Sequence, residues 1–153
     1  MKLNPDYVRD ILLYIEETLD YSTETVTPQH NELWYGKILD EERFKEHNKQ
    51  QLLYALEILL KENFIECATP PVFNNGNIRN AIIVGLTYSG HDLLDNVRNN
   101  TVWNAVKQKA KKIGGISLNT LAKSAGMVTT ALMSDPNAIQ NLLKGVDNIK
   151  GIL

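Results

Sequence analysis

The stretch IRNAIIVGLTYSGHDLL, residues 78–94, passes from strand to helix within two residues. Its apolar, β-branched first part reads as a strand that ends at Leu86. Thr87 then offers a hydroxyl to cap the next helix, and Leu93, Leu94 and Val97 give that helix a core-facing side. Gly90 sits in its first turn, where the missing Cβ allows another backbone to approach closely. A chain built this way turns directly out of a strand and back onto its own core.

The residues before the junction limit the fold further. Asn4, Pro5 and Asp6 form a helix start, with Pro5 suited to the first helical position and Asp6 to the positive end of the dipole. Val8, Ile11, Leu12, Ile15 and Leu19 come next at helical spacing. Asp20 to Gln29 reads as a connector in which TETVT can pair as a short strand. Within 30–47 the spacing predicts a short helix near Asp40 to Glu46. Asn48 caps a stronger helix whose stripe is Leu52, Leu56 and Leu59, widened by Leu53 and Leu60, with Gln50, Tyr54, Glu57 and Lys61 opposite. FIECA then alternates as a strand, Pro70-Pro71 and Asn74-Asn75-Gly76 signal turns, and residues 78–86 return, predicting a hairpin with a loop of about nine residues.

Helix, connector, helix, helix, hairpin, helix is the order of a winged helix-turn-helix. The expected class is mainly α with a small β-hairpin, α+β. A winged-helix domain over 1–100 precedes a helical extension over 101–153, used for packing or dimerisation. In the extension, a helix from Thr101 carries Val102, Trp103 and Val106, and Ser117 caps a second after Gly114-Gly115. Asp135-Pro136 starts a third with Ile139, Leu142, Leu143, Val146 and Ile149 on one face, which reads as a homodimer or core surface.

Composition narrows the compartment and the partners. The single cysteine, Cys67, excludes a disulfide framework and fits a reducing cytoplasm. No window approaches ~18 apolar residues, so no membrane span is expected. Residues 1–66 hold 7 Lys+Arg against 14 Asp+Glu, whereas residues 67–153 hold 9 against 4. A basic footprint for nucleic acid can therefore come only from the second half or from a local patch.

PDYVRDILLYIEE and GLTYSGHDLLDNVR, followed by a tryptophan and a lysine-rich helix, resemble a family of small uncharacterised phage and prophage proteins. The resemblance implies a mobile-element origin, a bacterial host cytoplasm and a winged-helix-like fold, with no assigned residues to transfer. The pattern LTxxGxxLL is also similar to that closing the wing in many winged-helix regulators.

The residues themselves point to double-stranded DNA. In a helix-turn-helix the second helix presents its N-terminal side chains to base edges, which places Lys49, Gln50 and Gln51 at the reading position and Tyr54 near phosphate. At the wing, Asn74, Asn75, Asn77 and Arg79 suit phosphate or sugar, and the 107–112 cluster, with Lys107 and Lys111, suits nonspecific phosphate binding. The competing explanation in each case is an ordinary solvated surface, and Glu57 on the same helix face opposes phosphate. The alternative partner is a host or phage protein, suggested by the acidic first half and the aromatic segment Leu33, Trp34, Tyr35.

Catalysis, metal and cofactor are not expected. His30, His47 and His91 are scattered, and no HExxH or phosphate-binding glycine motif occurs. His91 and Asp95 read as a surface pair, Cys67 as a buried small hydrophobe, and Asp40, Glu41 and Glu42 as solvated acids in the first turn of a helix.

Overall fold

The computed structural model describes residues 1–19, 32–135, 137 and 141. Its fold is mixed α+β. Among the described residues the order is α1 (Pro5–Thr18), β1 (Leu33–Trp34), α2 (Tyr35–Asp40), a 3-10 turn (Glu42–Phe44), α3 (Lys49–Lys61), β2 (Ile65–Cys67), β3 (Val72–Asn74), β4 (Asn77–Asn80), β5 (Ile82–Leu86), α4 (Tyr88–Arg98), α5 (Asn100–Lys112) and α6 (Leu118–Ser134). The chain divides into two units, one of Asp6–His91 with Met1, the other of Lys2–Pro5 with residues from Asp92 onward. No described helix is long and apolar enough to cross a membrane.

In the first unit, α1 buries Val8, Ile11, Leu12 and Ile15 as its spacing requires, while Leu19 is half-buried. α3 buries Leu52, Ala55, Leu56, Leu59 and Leu60, with Leu53 half-buried. Three antiparallel strands in the order β1-β5-β2 add Leu33, Ile65, Ile83 and Leu86 to this core. The TETVT segment lies outside the described residues.

Three sequence expectations change here. The helix expected near Asp40 to Glu46 lies earlier, at Tyr35–Asp40, and a 3-10 turn comes after it. The reason is burial: Ile38 and Phe44 are 0% and 2% exposed. Six residues apart on one continuous helix they would point about 120° apart. An extended Glu41 breaks the helix and brings both inward. Asp40, Glu41 and Glu42 therefore close one helix and open a turn instead of starting a helix.

The expected hairpin with a nine-residue loop is also more structured. β2 does pair with β5, but the loop contains a second antiparallel pair, β3 with β4, closed by Asn75-Gly76. Both turn residues have positive φ, 52° and 81°, the conformation that a two-residue Asn-Gly turn supplies at low strain. The returning strand is consequently split at Ala81, which is buried. Third, Glu57 does not face solvent. It is 6% exposed.

The 87–90 junction forms as its residues require. α3 ends in a Schellman turn, with Asn63 at φ 62° and the Phe64 amide donating to the Leu59 carbonyl at 2.9 Å. Thr87 caps α4 by accepting from the Gly90 amide at 3.1 Å and donates to the Asn63 carbonyl at 2.7 Å. A Cβ on Gly90 would lie 2.1 Å from the Phe64 carbonyl oxygen, so only glycine fits there.

The second unit pairs α5 with α6. α5 starts one residue earlier than its Thr101 suggests, because the Asn99 side chain accepts from the Thr101 and Val102 amides and caps the helix. It buries Val102, Trp103, Ala105, Val106 and Ala110. It ends in a second Schellman turn, the Gly115 amide donating to the Ala110 carbonyl at 3.0 Å with Gly114 at φ 81°. Ser117 caps α6, accepting from the Thr120 amide at 3.2 Å. The expected final helix, from Pro136 to Leu153 with its apolar stripe, lies outside the described residues apart from Asn137 and Asn141.

Candidate nucleic-acid interface

The start of α3 is held by α1 as well as by its own cap. Asn48 accepts from the Gln51 amide at 3.1 Å, and its own amide donates to the Tyr7 hydroxyl at 3.0 Å. His47 stacks on Tyr7 at 4.3 Å between ring centroids and bonds Asp10 at 2.9 Å. This scaffold fixes the direction in which the first turn of α3 points. Replacing Asn48 by alanine is expected to cost about 1 kcal/mol of stability in urea denaturation, the usual value of a helix cap. A loss below a few tenths would show that the Tyr7 contact alone secures the helix start.

From that turn Lys49 and Gln50 are exposed, while Gln51 and Tyr54 are half-buried. Lys49 lies 3.6 Å from Asp40, and both side chains are mostly exposed, so the pair opens at little cost. Gln50, Tyr54, Glu57 and Lys61 fall on one helix face, as the spacing requires. Toward the C-terminal end of that face the β3–β4 hairpin bonds to the helix, burying Glu57 and leaving Lys61 exposed. The Glu57 carboxylate accepts from the Ile78 amide at 2.8 Å, and the Lys61 ammonium donates to the Gly76 carbonyl at 2.6 Å and stands 5.1 Å from the Phe73 ring centroid. The hairpin presents Asn74, Asn75, Asn77 and Arg79 to solvent.

The structure thus brings two of the three predicted groups onto one unit: Lys49, Gln50, Gln51 and Tyr54 on α3, and Asn75, Asn77 and Arg79 on the hairpin anchored to it. Glu57 contributes no exposed charge beside them, since its carboxylate is buried against an amide. Lys107 and Lys111 belong to the second unit, where with Lys2, Leu3, Pro5 and Ala110 they line a groove of about 450 Å³. Lys2 donates to the Gly114 carbonyl at 3.1 Å, and the Lys107 ammonium lies 5.7 Å from the Trp103 ring centroid.

Residues missed as contributors are Glu57, Lys61 and Lys2. Lys2 stands too far away in sequence to suggest the groove. Glu57 had a readable signal, since a lone acid inside ALEILL interrupts an otherwise apolar run.

The remaining reactive groups are engaged separately. Asp95 pairs with Arg98 at 3.2 Å, Glu41 accepts from the Tyr14 hydroxyl at 3.0 Å, and Glu42 pairs with Lys45. Burial first, and then the bond to Glu41, push the Tyr14 phenol above its ordinary pKa. Cys67 is half-buried rather than enclosed, and burial, with Glu66 adding to it, raises its thiol pKa, which lowers its thiolate fraction. Among the described residues no three His, Cys, Asp or Glu side chains form a group able to hold a metal ion. His30 lies outside them.

The chain is similar to an uncharacterised protein of Haemophilus influenzae, with 27% identity over 135 residues covering 88% of this chain and 100% of that protein. No solved structure matches it. The model of the family described as hypothetical protein DUF2513 matches residues 2–117, and the chain belongs to that family.

Proposed function

We propose that the chain is a winged-helix protein of phage or prophage type that binds double-stranded DNA in a regulatory or accessory role, without catalysis, in the cytoplasm of a bacterial host. One observation supports this above the others: a β3–β4 hairpin, inserted between the paired strands β2 and β5, is mounted on the helix whose first turn exposes Lys49 and Gln50. The sheet order β1-β5-β2, with α2 and α3 between β1 and β2 in sequence, is the order expected of a winged helix. Amide and ammonium groups at the helix start suit adenine and guanine edges, and asparagines with Arg79 at the hairpin suit the sugar–phosphate backbone.

The test is binding of the full chain to duplex DNA across a salt series. Affinity should fall steeply with salt, as counterion release demands. Lys49→Ala with Gln50→Ala should cost about 1 to 3 kcal/mol at the preferred sequence and flatten discrimination, whereas Lys107→Ala with Lys111→Ala should weaken all sequences alike. A folded chain that binds no duplex at low salt overturns the proposal. We also propose a homodimer, on the apolar spacing of Ile139, Leu142, Leu143, Val146 and Ile149.

A second reading has its own support. Trp34 is 46% exposed and packs edge-on against Tyr35 at 5.0 Å, within the acidic half of the chain, as an anchor for a host or phage protein would. Loss of a captured host protein in Trp34→Ala, from nuclease-treated lysate, together with absent duplex binding, would favour it.

A further inference from the structure

The β3–β4 hairpin shares no ladder with the three-stranded sheet. A two-stranded hairpin is marginally stable by itself in water, so its contacts with α3 help to set its direction beyond the β2–β5 pair from which it extends. We infer that Glu57 and Lys61 are positioning residues that lock the hairpin to α3, so that the helix's first turn and the hairpin tip meet duplex DNA as one preformed surface. The inference rests on the DNA-binding function proposed for the chain.

The anchors grip different parts of the hairpin. Glu57 takes the amide of Ile78, a residue 5% exposed whose neighbours Asn77 and Arg79 both face solvent. A buried carboxylate accepting a backbone amide is a charge-assisted bond, short and directional at 2.8 Å. One helical turn on, Lys61 reaches the carbonyl of Gly76 in the turn itself, and its ammonium also stands over Phe73 on the other strand. Both strands and the turn are therefore tied to two positions, i and i+4, on the face that carries Gln50 and Tyr54 at its other end. A wing held this way meets DNA without first losing conformational freedom, which is how preorganisation adds affinity.

The test uses the full chain with Glu57→Leu, Glu57→Gln, Lys61→Ala and, as a direct-contact comparison, Arg79→Ala. Amide exchange at Ile78 should accelerate about tenfold or more in Glu57→Leu and stay near wild type in Glu57→Gln, whose amide oxygen still accepts. Duplex affinity should fall about tenfold in Glu57→Leu and Lys61→Ala with the salt slope retained, recover in Glu57→Gln, and lose about one unit of slope in Arg79→Ala. If Glu57→Leu fails to fold, Lys61→Ala carries the test through hairpin exchange and affinity.

Unchanged affinity in a variant whose hairpin exchanges faster overturns the positioning role alone. Unchanged hairpin exchange in both Glu57→Leu and Lys61→Ala does the same. A slope loss of about one in Lys61→Ala would make Lys61 a phosphate contact and also overturn the role. A wild type without duplex binding removes the DNA reading and the role with it, whatever the exchange pattern shows of the anchors.

Discussion

Replacing Gly90 by alanine is expected to destabilise the chain by about 3 kcal/mol, the upper end of the usual cost of overpacking. The added Cβ would stand 2.1 Å from the Phe64 carbonyl oxygen and 3.1 Å from its carbon. That oxygen belongs to backbone in the Schellman turn closing α3, and it already accepts from the Thr87 amide at 3.2 Å. A rotamer change cannot relieve such a clash. Either α4 moves away, weakening the bonds of Thr87 to Asn63 and of Gly90 to Thr87, or the turn after α3 shifts. Alanine is the better helix former by roughly 0.5 to 1 kcal/mol, so any loss measures the clash against an opposing propensity. Gly85→Ala is the control. A Cβ there meets nothing within 4 Å, and the change should stay within about 0.5 kcal/mol. Urea denaturation of both variants decides it, and a Gly90→Ala chain as stable as wild type would show that α4 does not depend on this approach.

The same junction shows why part of the fold was legible. Thr87 and Gly90 lie within four residues and each carries a local signal, a hydroxyl for a cap and a missing Cβ at a helix start, although the backbone that Gly90 meets is the distant Phe64. The caps at Asn48 and Ser117 and the α1 stripe were readable for the same reason. The helix expected at Asp40 to Glu46 was misplaced because its position is set by two distant burials, Ile38 and Phe44, which one helical face cannot satisfy. Local propensity favoured DEERFKEH, and tertiary packing favoured YGKILD.

The candidate site was legible in its residue types and illegible in its assembly. Helical spacing groups Gln50, Tyr54, Glu57 and Lys61 on one face, yet it does not show that the hairpin binds Glu57 and Lys61 and buries the first of them. Asn-Gly announces a turn, but the NIRN segment after it lacks the alternation of a long strand, and the split at Ala81 marks where the returning strand changes partners, from β3 to β2 and β1. The Glu57 carboxylate, expected on a solvated face, is buried and accepts the Ile78 amide.

The second large effect is expected in the other unit, at Trp103. Trp103→Ala should cost about 3 to 5 kcal/mol, the range for truncating a buried large aromatic. The indole is 2% exposed, on a helix whose other buried side chains, Val102, Ala105, Val106 and Ala110, are all smaller. A buried tryptophan removes about 150 to 250 Å² from water, and at ~25 cal/mol per Å² that area alone reaches the predicted range. Small neighbours on the same helix cannot extend to fill the void, so little of the cavity cost is recovered by collapse. Trp103→Phe should fall between alanine and wild type. Lys107→Ala removes the cation near the ring while leaving the indole in place, and should cost less than Trp103→Ala. Far-UV circular dichroism in a urea series is the suitable readout, because the alanine variant loses one of the chain's two tryptophans as a fluorescent probe. A loss below about 1 kcal/mol in Trp103→Ala would mean that the helix pair tolerates the cavity, and that burial of this indole is not what holds α5 in place.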